Sequence, residues 1–262
     1  MQAADLDGVI HHVDVSGPAG GRPVLFINAL GADLRMWAPL LAHLPAGLRL
    51  IRYDMRGHGL SDCPPGPYAM DDLVADAAHL LDRLGAGGAV VVGLSIGGMV
   101  AQGLAARRPD LVRGLVISNS AARIGTPGQW RERIAQVERA GVGALAEGVL
   151  ARWFTAGFRE RADIALWRHM LARQTAAGYA ACAAALAGAD LTETTRGLAL
   201  PVLVIAAERD GSTPPDLVRA TADLIPGARF ELIEGAGHLP HVERPEAYGR
   251  LLSDFVLDLG DG

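Results

Sequence analysis

The sequence predicts an α/β fold: a mostly parallel central sheet with helices on both faces and an inserted all-helical lid. Short apolar runs recur along the 262 residues, and stretches with apolar residues at helical spacing lie between them. The runs do not alternate with polar residues, which is typical of parallel strands that are buried on both faces. One long stretch, residues 121–196, shows helical patterns and no convincing strand.

The elements follow in chain order. Residues 11–15 alternate in polarity and predict an antiparallel edge strand. Continuously apolar runs predict the buried strands, which cover residues 24–27, 48–53, 89–92, 115–117 and 202–205. Apolar residues at helical spacing predict helices over residues 71–84, 99–107 and 245–257.

The helical stretch divides the chain. Residues 1–120 and 197–262 form the predicted core domain, and residues 121–196 form a helical lid inserted between two of its strands. Helical spacing within the lid covers residues 129–139, 143–153, 163–175 and 178–187. We interpret the insertion as a cover over the carboxyl ends of the strands. The alternative is a helical elaboration that has no part in binding.

Composition limits the classes of function. A hydrophobic content of 50% with 20% charged residues is typical of a folded globular protein. The net charge of −5, with no basic cluster, gives no reason to expect nucleic-acid binding. Cys63 and Cys182 make neither a disulfide framework nor a metal-binding pattern, so we expect a reducing cytoplasm. The apolar stretch 89–106 contains glycine, serine and glutamine, and it predicts a buried strand and helix with no membrane contact.

Residues 93–97 read Gly-Leu-Ser-Ile-Gly and lie between a predicted strand and a predicted helix. A G-x-S-x-G sequence in this setting forms a tight turn that exposes the serine at a helix N-terminus. Free N–H groups and the helix dipole favour a developing oxyanion there. Ser95 is therefore the predicted nucleophile, and a glycine-rich bend without chemistry is the structural alternative.

A serine hydroxyl is a weak nucleophile, so it needs a base and a carboxylate that orients the base. Asp210 lies in the loop after a predicted strand and is the predicted acid. Glu208, closer to that strand, is the competing candidate. The acid of such a site can also follow the earlier strand 115–117, but the residue there is Asn119, which is uncharged, and this favours Asp210. His238, in a glycine-rich loop, is the predicted base.

The oxyanion of the reaction requires two backbone N–H donors. Ile96 supplies one, and the loop 28–31 supplies the other, which we assign to Leu30 with its neighbours as alternatives. His241 lies three residues after His238, but a metal site would need a third ligand that nothing in the sequence supplies. No metal and no cofactor is therefore predicted.

These residues belong to longer stretches of the chain: 28–31, 33–37, 93–99, 118–127 with Trp130 and Arg133, 210–215 and 234–240. With them the chain resembles the α/β-hydrolase superfamily over essentially its whole length. More narrowly, it resembles the 3-oxoadipate enol-lactonases of the β-ketoadipate pathway. The resemblance implies a cytoplasmic enzyme of aromatic catabolism that opens a small unsaturated lactone through an acyl-enzyme on serine.

That lactone carries a carboxylate, which needs a cation in the protein. Arg133 and Trp130 are three residues apart on a predicted helix and share a face, so they are the first candidates for substrate binding. Arg123 is the second candidate, and an arginine that faces solvent is the alternative. Competing functions are a general carboxylesterase, a carbon–carbon bond hydrolase, a perhydrolase and a ligand receptor with little turnover. A haloalkane dehalogenase is excluded, because its nucleophile is an aspartate and residue 95 is serine.

Overall fold

The computed structural model describes residues 2–260. The strands of this part are β1 (Gln2–Leu6), β2 (Val9–Ser16), β3 (Arg22–Ile27), β4 (Leu48–Tyr53), β5 (Ala89–Leu94), β6 (Val112–Ser118), β7 (Val202–Ala207) and β8 (Arg229–Ile233). They form one sheet in the order β1-β2-β4-β3-β5-β6-β7-β8. β2 is antiparallel to β1 and β4, and the other neighbouring pairs are parallel. The predicted mostly parallel sheet is confirmed.

Burial explains why the apolar runs indicate strands. Every residue of β5 and of β7 is buried, because helices cover both faces of the sheet. Residues 11–15 are antiparallel to their neighbours as predicted, but they do not form an edge strand. β1 pairs with residues 9–13 on their outer side and is itself the edge strand. Only Ala4 and Leu6 of β1 are buried, so its apolar pattern is too short to reveal a strand.

The helices of the described residues are α1 (Ala38–Leu41), α2 (Met70–Arg83), α3 (Ile96–Arg107), α4 (Pro127–Ala140), α5 (Ala146–Trp153), α6 (Ala156–Arg159), α7 (Ile164–Ala172), α8 (Ala176–Gly188), α9 (Thr192–Arg196), α10 (Pro215–Ala222), α11 (Pro240–Glu243) and α12 (Pro245–Asp258). Among residues 2–260, none of these helices has the length and apolar character to span a membrane.

The segment between β6 and β7 contains α4 to α9, and α4 packs against α8. Thr126 caps the start of α4. Its hydroxyl accepts the N–H of Gln129 at 3.3 Å, and the Gln129 side chain accepts the N–H of Thr126 at 2.9 Å. The reciprocal cap fixes where the helix begins, and Trp130 and Arg133 follow on one face within its first two turns.

Candidate active site

Ser95 occupies the tight turn between β5 and α3. Its backbone has a φ of 59° and a ψ of −121°, a conformation that non-glycine residues rarely adopt. A Cβ at residue 93 would meet the carbonyl oxygen of Gly97, and a Cβ at residue 97 would meet that of Ile27. Both flanking positions therefore require glycine, and the strained turn holds the predicted nucleophile at the N-terminus of α3.

Asp210 lies just beyond β7, and its carboxylate is surrounded by donors. Oδ1 accepts the N–H groups of Ser212 at 2.7 Å and Thr213 at 3.0 Å. Oδ2 accepts from Asn119 Nδ2 at 2.8 Å, from the Thr213 hydroxyl at 2.7 Å and from His238 Nδ1 at 2.8 Å. Burial by itself would raise the pKa of Asp210, but the charge and hydrogen bond of His238, then the Asn119 amide, hold this pKa below its ordinary value. The carboxylate is therefore anionic.

His238 is 1% exposed and faces this anion. A carboxylate can only accept hydrogen bonds, so the imidazole proton lies on Nδ1 and the Nε2 atom remains an acceptor. His238 and Ser95 line the same cavity. Proton removal from a serine hydroxyl requires a nitrogen acceptor of this kind, and the shared cavity makes His238 the candidate base for Ser95.

The competing candidates have other partners. Glu208 is exposed, and its carboxylate accepts the N–H of Gly235 at 2.8 Å. His241 is buried, its Nε2 donates to the carbonyl oxygen of Met36 at 3.0 Å, and its ring lies 4.4 Å from that of Trp37. Neither Glu208 nor His241 is part of the wall of the cavity that the described residues form.

The loop after β3 holds one free donor at the cavity. The N–H of Ala29 donates to a buried methionine sulfur at 3.4 Å, and the N–H of Gly31 donates to His58 Nε2 at 3.0 Å. Between them, the N–H of Leu30 has no acceptor within residues 2–260, and Leu30 lines the cavity. Ile96, the first residue of α3, follows Ser95 directly. This arrangement favours the amides of Leu30 and Ile96 as the oxyanion donors.

A cavity of about 410 Å³ lies between the core loops and the helical segment. Its wall brings together five of the predicted site residues: Ser95, His238, Leu30, Trp130 and Arg133. Arg123 lies elsewhere. Its side chain is half exposed and pairs with Asp190 at 3.4 Å on the surface.

The wall also contains Arg152 and Tyr179, which the sequence does not predict as site residues. Burial, and then the charge of Arg133, lowers the pKa of Arg152. Burial raises the pKa of Tyr179, and the charges of both arginines oppose that rise. Within residues 2–260, no carboxylate pairs with either guanidinium. Two half-buried cations that form no ion pair with any described residue make this part of the cavity suited to an anion. The only available signal for Arg152 was its place beside Trp153 at the end of a predicted helix.

His58, whose Nε2 accepts the N–H of Gly31, makes the stability of the protein dependent on pH. Burial lowers the pKa of His58 to about 4, whereas an unfolded histidine titrates near pH ~6.5. Between these two pH values the unfolded chain binds more protons than the folded protein. The contribution of His58 to the free energy of unfolding is therefore fully present above pH ~6.5, and it is lost as the pH falls towards ~4. The slope is up to ~1.4 kcal/mol per pH unit for each such histidine. Buried His241, with its pKa lowered to about 3, acts in the same direction.

Urea unfolding midpoints measured at several pH values in this window check the expectation. The control is His58→Gln, since glutamine keeps an acceptor for the Gly31 N–H but does not titrate. We expect this variant to have a shallower pH dependence than the parent protein. Equal slopes in the two proteins would contradict the assignment to His58.

The chain is similar to known proteins over most of its length. Residues 24–251 match the alpha/beta hydrolase family. The chain is 36% identical to 3-oxoadipate enol-lactonase 2 of Acinetobacter baylyi, over 88% of this chain and 87% of that protein. It is 33% identical to enol-lactonase 1 of the same organism, with 93% and 92% covered. The crystal structure of the enol-lactonase from Burkholderia xenovorans has a TM-score of 0.95 at 36% identity and covers 98% of this chain and 100% of that one. A malate-bound thermophilic esterase from Thermogutta terrifontis has a TM-score of 0.93 at 30% identity, with both chains covered completely.

Proposed function

Because this chain belongs to the alpha/beta hydrolase family, we propose that it is a serine hydrolase that opens the ring of 3-oxoadipate enol-lactone in aromatic catabolism. One observation carries the proposal. A single cavity joins Ser95 and His238 to two guanidiniums that have no counter-ion among residues 2–260. The similarity to 3-oxoadipate enol-lactonases supports the choice of substrate.

In the proposed acylation step, Ser95 Oγ attacks the carbonyl carbon of the lactone ring. His238 Nε2 accepts the hydroxyl proton, and Asp210 holds the imidazole through its Nδ1–H and stabilises the resulting positive charge. The N–H groups of Leu30 and Ile96 donate to the oxyanion that forms.

The group that leaves is an enolate. It takes back the proton that His238 accepted from Ser95, ends as a ketone protonated on carbon, and leaves His238 neutral for the next step. Ring opening is therefore strongly downhill and needs little help from an acid. The ketone remains attached to the acyl chain, so nothing leaves the cavity at this stage. A water molecule activated by His238 then attacks the acyl-enzyme, and 3-oxoadipate is released from Ser95.

The carboxylate of the lactone is assigned to Arg133 and Arg152. The two side chains lie close enough for the charge of Arg133 to lower the pKa of Arg152, so one carboxylate between them would relieve that repulsion. The indole Nε1–H of Trp130 donates to the carbonyl oxygen of Ile124 at 2.7 Å, which orients its ring in the cavity wall. The ring offers an apolar surface to the unsaturated lactone.

Arg133→Ala is expected to lower kcat/KM for the anionic enol-lactone by about 10- to 100-fold and to spare a neutral ester of similar size. Loss of a charge-assisted contact of this kind costs roughly 1.5–3 kcal/mol. Arg152→Ala is expected to cause the same selective loss. The quantity to measure is the ratio of kcat/KM for the two substrates, because remote binding energy can appear in kcat as well as in KM.

Arg123→Ala is the matched control, since Arg123 is a surface arginine of the same helical segment and lies outside the cavity wall. Its ratio should equal that of the parent protein. An unchanged ratio in both Arg133→Ala and Arg152→Ala would remove the carboxylate assignment. If the parent protein also shows no preference for the anionic lactone over neutral esters, a general carboxylesterase replaces the enol-lactonase. The similarity to an esterase makes that the second candidate.

A further inference from the structure

Glu243 is a buried carboxylate close to the candidate base. It ends α11, five residues after His238, and it is 8% exposed. Its Oε2 atom accepts the N–H of Gly237 at 2.6 Å. Its Oε1 atom accepts the hydroxyl of Thr155 at 2.6 Å and the N–H of the same residue at 3.2 Å. A buried carboxylate is costly unless donors satisfy it, and these donors come from two different parts of the chain.

Gly237 directly precedes His238, whereas Thr155 follows α5 in the helical segment. Glu243 therefore connects the loop of the base to that segment through one side chain. The connection is close, because a Cβ at residue 237 would lie 2.5 Å from the carbonyl oxygen of Trp153. Glycine at this position allows the two backbones to meet.

The carboxyl end of α5 also contacts the loop that contains Asp210. The N–H of Gly211, next to Asp210, donates to the carbonyl oxygen of Arg152 at 3.4 Å. The N–H of Leu239, next to His238, donates to the carbonyl oxygen of Trp153 at 3.4 Å. Residues 152–155 thus contact the loop of Asp210 and the loop of His238, and the shortest of these hydrogen bonds are the two of 2.6 Å to Glu243.

We propose that Glu243 is a positioning residue whose hydrogen bonds connect the loop of His238 to Thr155. The alignment of the base with Asp210 then depends on how the helical segment between β6 and β7 packs against this loop. Glu243 does not line the cavity of the described chain, so it acts through the loop and not on the substrate. The inference rests on the proposed serine-hydrolase mechanism, but it requires no particular substrate. Arg152, the proposed substrate cation, lies three residues before Thr155 in the same stretch of chain.

The test compares Glu243→Ala and Glu243→Gln with Glu208→Gln. Glu208 is the matched control, because it also accepts an N–H from the histidine loop, at Gly235, but it is exposed. For p-nitrophenyl acetate we expect Glu243→Ala to lower kcat by about 10- to 100-fold, the cost of a small misalignment, with KM changed less than about 3-fold. Glu243→Gln should recover part of the loss, since its amide oxygen can still accept one of the bonds. Glu208→Gln should stay within about 2-fold of the parent.

A spectroscopic measurement separates alignment from general stability. The Nδ1 proton of His238, in a short hydrogen bond to a carboxylate, should give a low-field proton NMR signal in the parent protein and in Glu208→Gln. In Glu243→Ala we expect this signal to move upfield or to be lost by exchange, in protein that thermal unfolding shows to be folded. This measurement needs no substrate, so it remains decisive even if the enol-lactone is not hydrolysed.

Thr155→Val provides the second variant, because it removes only the hydroxyl donor and leaves the bond from Gly237 to Glu243 in place. If Glu243→Ala does not fold, a lower kcat in Thr155→Val, restored in Thr155→Ser, supports the proposal. A kcat equal to that of the parent in folded Glu243→Ala, or in Thr155→Val where the alanine variant fails to fold, overturns it. An equal loss in Glu208→Gln also overturns it.

Discussion

Ser95→Ala is expected to abolish the acyl-enzyme and to lower kcat by about six orders of magnitude, the scale of loss when a triad nucleophile is removed. The residual rate is expected to come from binding and from the proposed oxyanion donors at Leu30 and Ile96. Hydrolysis of p-nitrophenyl acetate and of the enol-lactone measures the loss. Mass spectrometry after treatment with a fluorophosphonate should place the adduct on Ser95 in the parent protein only.

Ser212→Ala is the matched control, because Ser212 is a second serine in the cavity wall. Its backbone N–H, which donates to Asp210, remains in the alanine variant. We expect this variant to keep its turnover and its fluorophosphonate adduct. If Ser95→Ala keeps the turnover of the parent protein, Ser95 is not the nucleophile. A parent protein that binds esters without turnover would point instead to a ligand receptor.

Asp210→Asn is expected to lower kcat by about four orders of magnitude while the protein stays folded. An amide at this position can present its NH₂ group to the imidazole, and this favours the tautomer with the proton on Nε2. That tautomer cannot accept the proton of Ser95. The amide also removes the negative charge that stabilises the imidazolium. Turnover of p-nitrophenyl acetate and circular dichroism measure the two parts of the expectation.

Glu208→Gln serves as the control, because Glu208 lies two residues away and was the competing acid in the sequence. Its contact with the Gly235 N–H lies outside the cavity wall, so its loss should change kcat only slightly. A larger effect at Glu208 than at Asp210 would move the assignment of the acid to Glu208.

The fold and the nucleophile turn could be predicted because their signals are local. Residues 89–92 are continuously apolar because β5 is covered on both faces, and the two glycines beside Ser95 are required by backbone contacts within one turn. β1 escaped prediction because only two of its side chains reach the core. Backbone conformation and burial leave their mark on neighbouring residues, so a single sequence reveals them.

The roles of individual side chains required the tertiary structure. The sequence predicts Asp210 as the acid and Glu208 as its competitor. In the structure the carboxylate of Asp210 contacts His238 and also accepts from Asn119, 91 positions earlier in the chain, whereas that of Glu208 accepts from Gly235. Arg152 was not predicted, because the pattern of a helix does not tell which of its polar residues turns towards a cavity.

The sequence by itself determined the fold class, the strained serine turn and the residue types that hydrolysis needs. Only the tertiary structure decided which arginines share the cavity. It also decided that Glu243 connects the loop of His238 to Thr155, which lies 88 positions before Glu243 in the chain. The physical reason is the range of the interactions. Local conformation depends on adjacent residues, whereas the meeting of distant side chains depends on how the loops at the sheet edge pack against the helices above them.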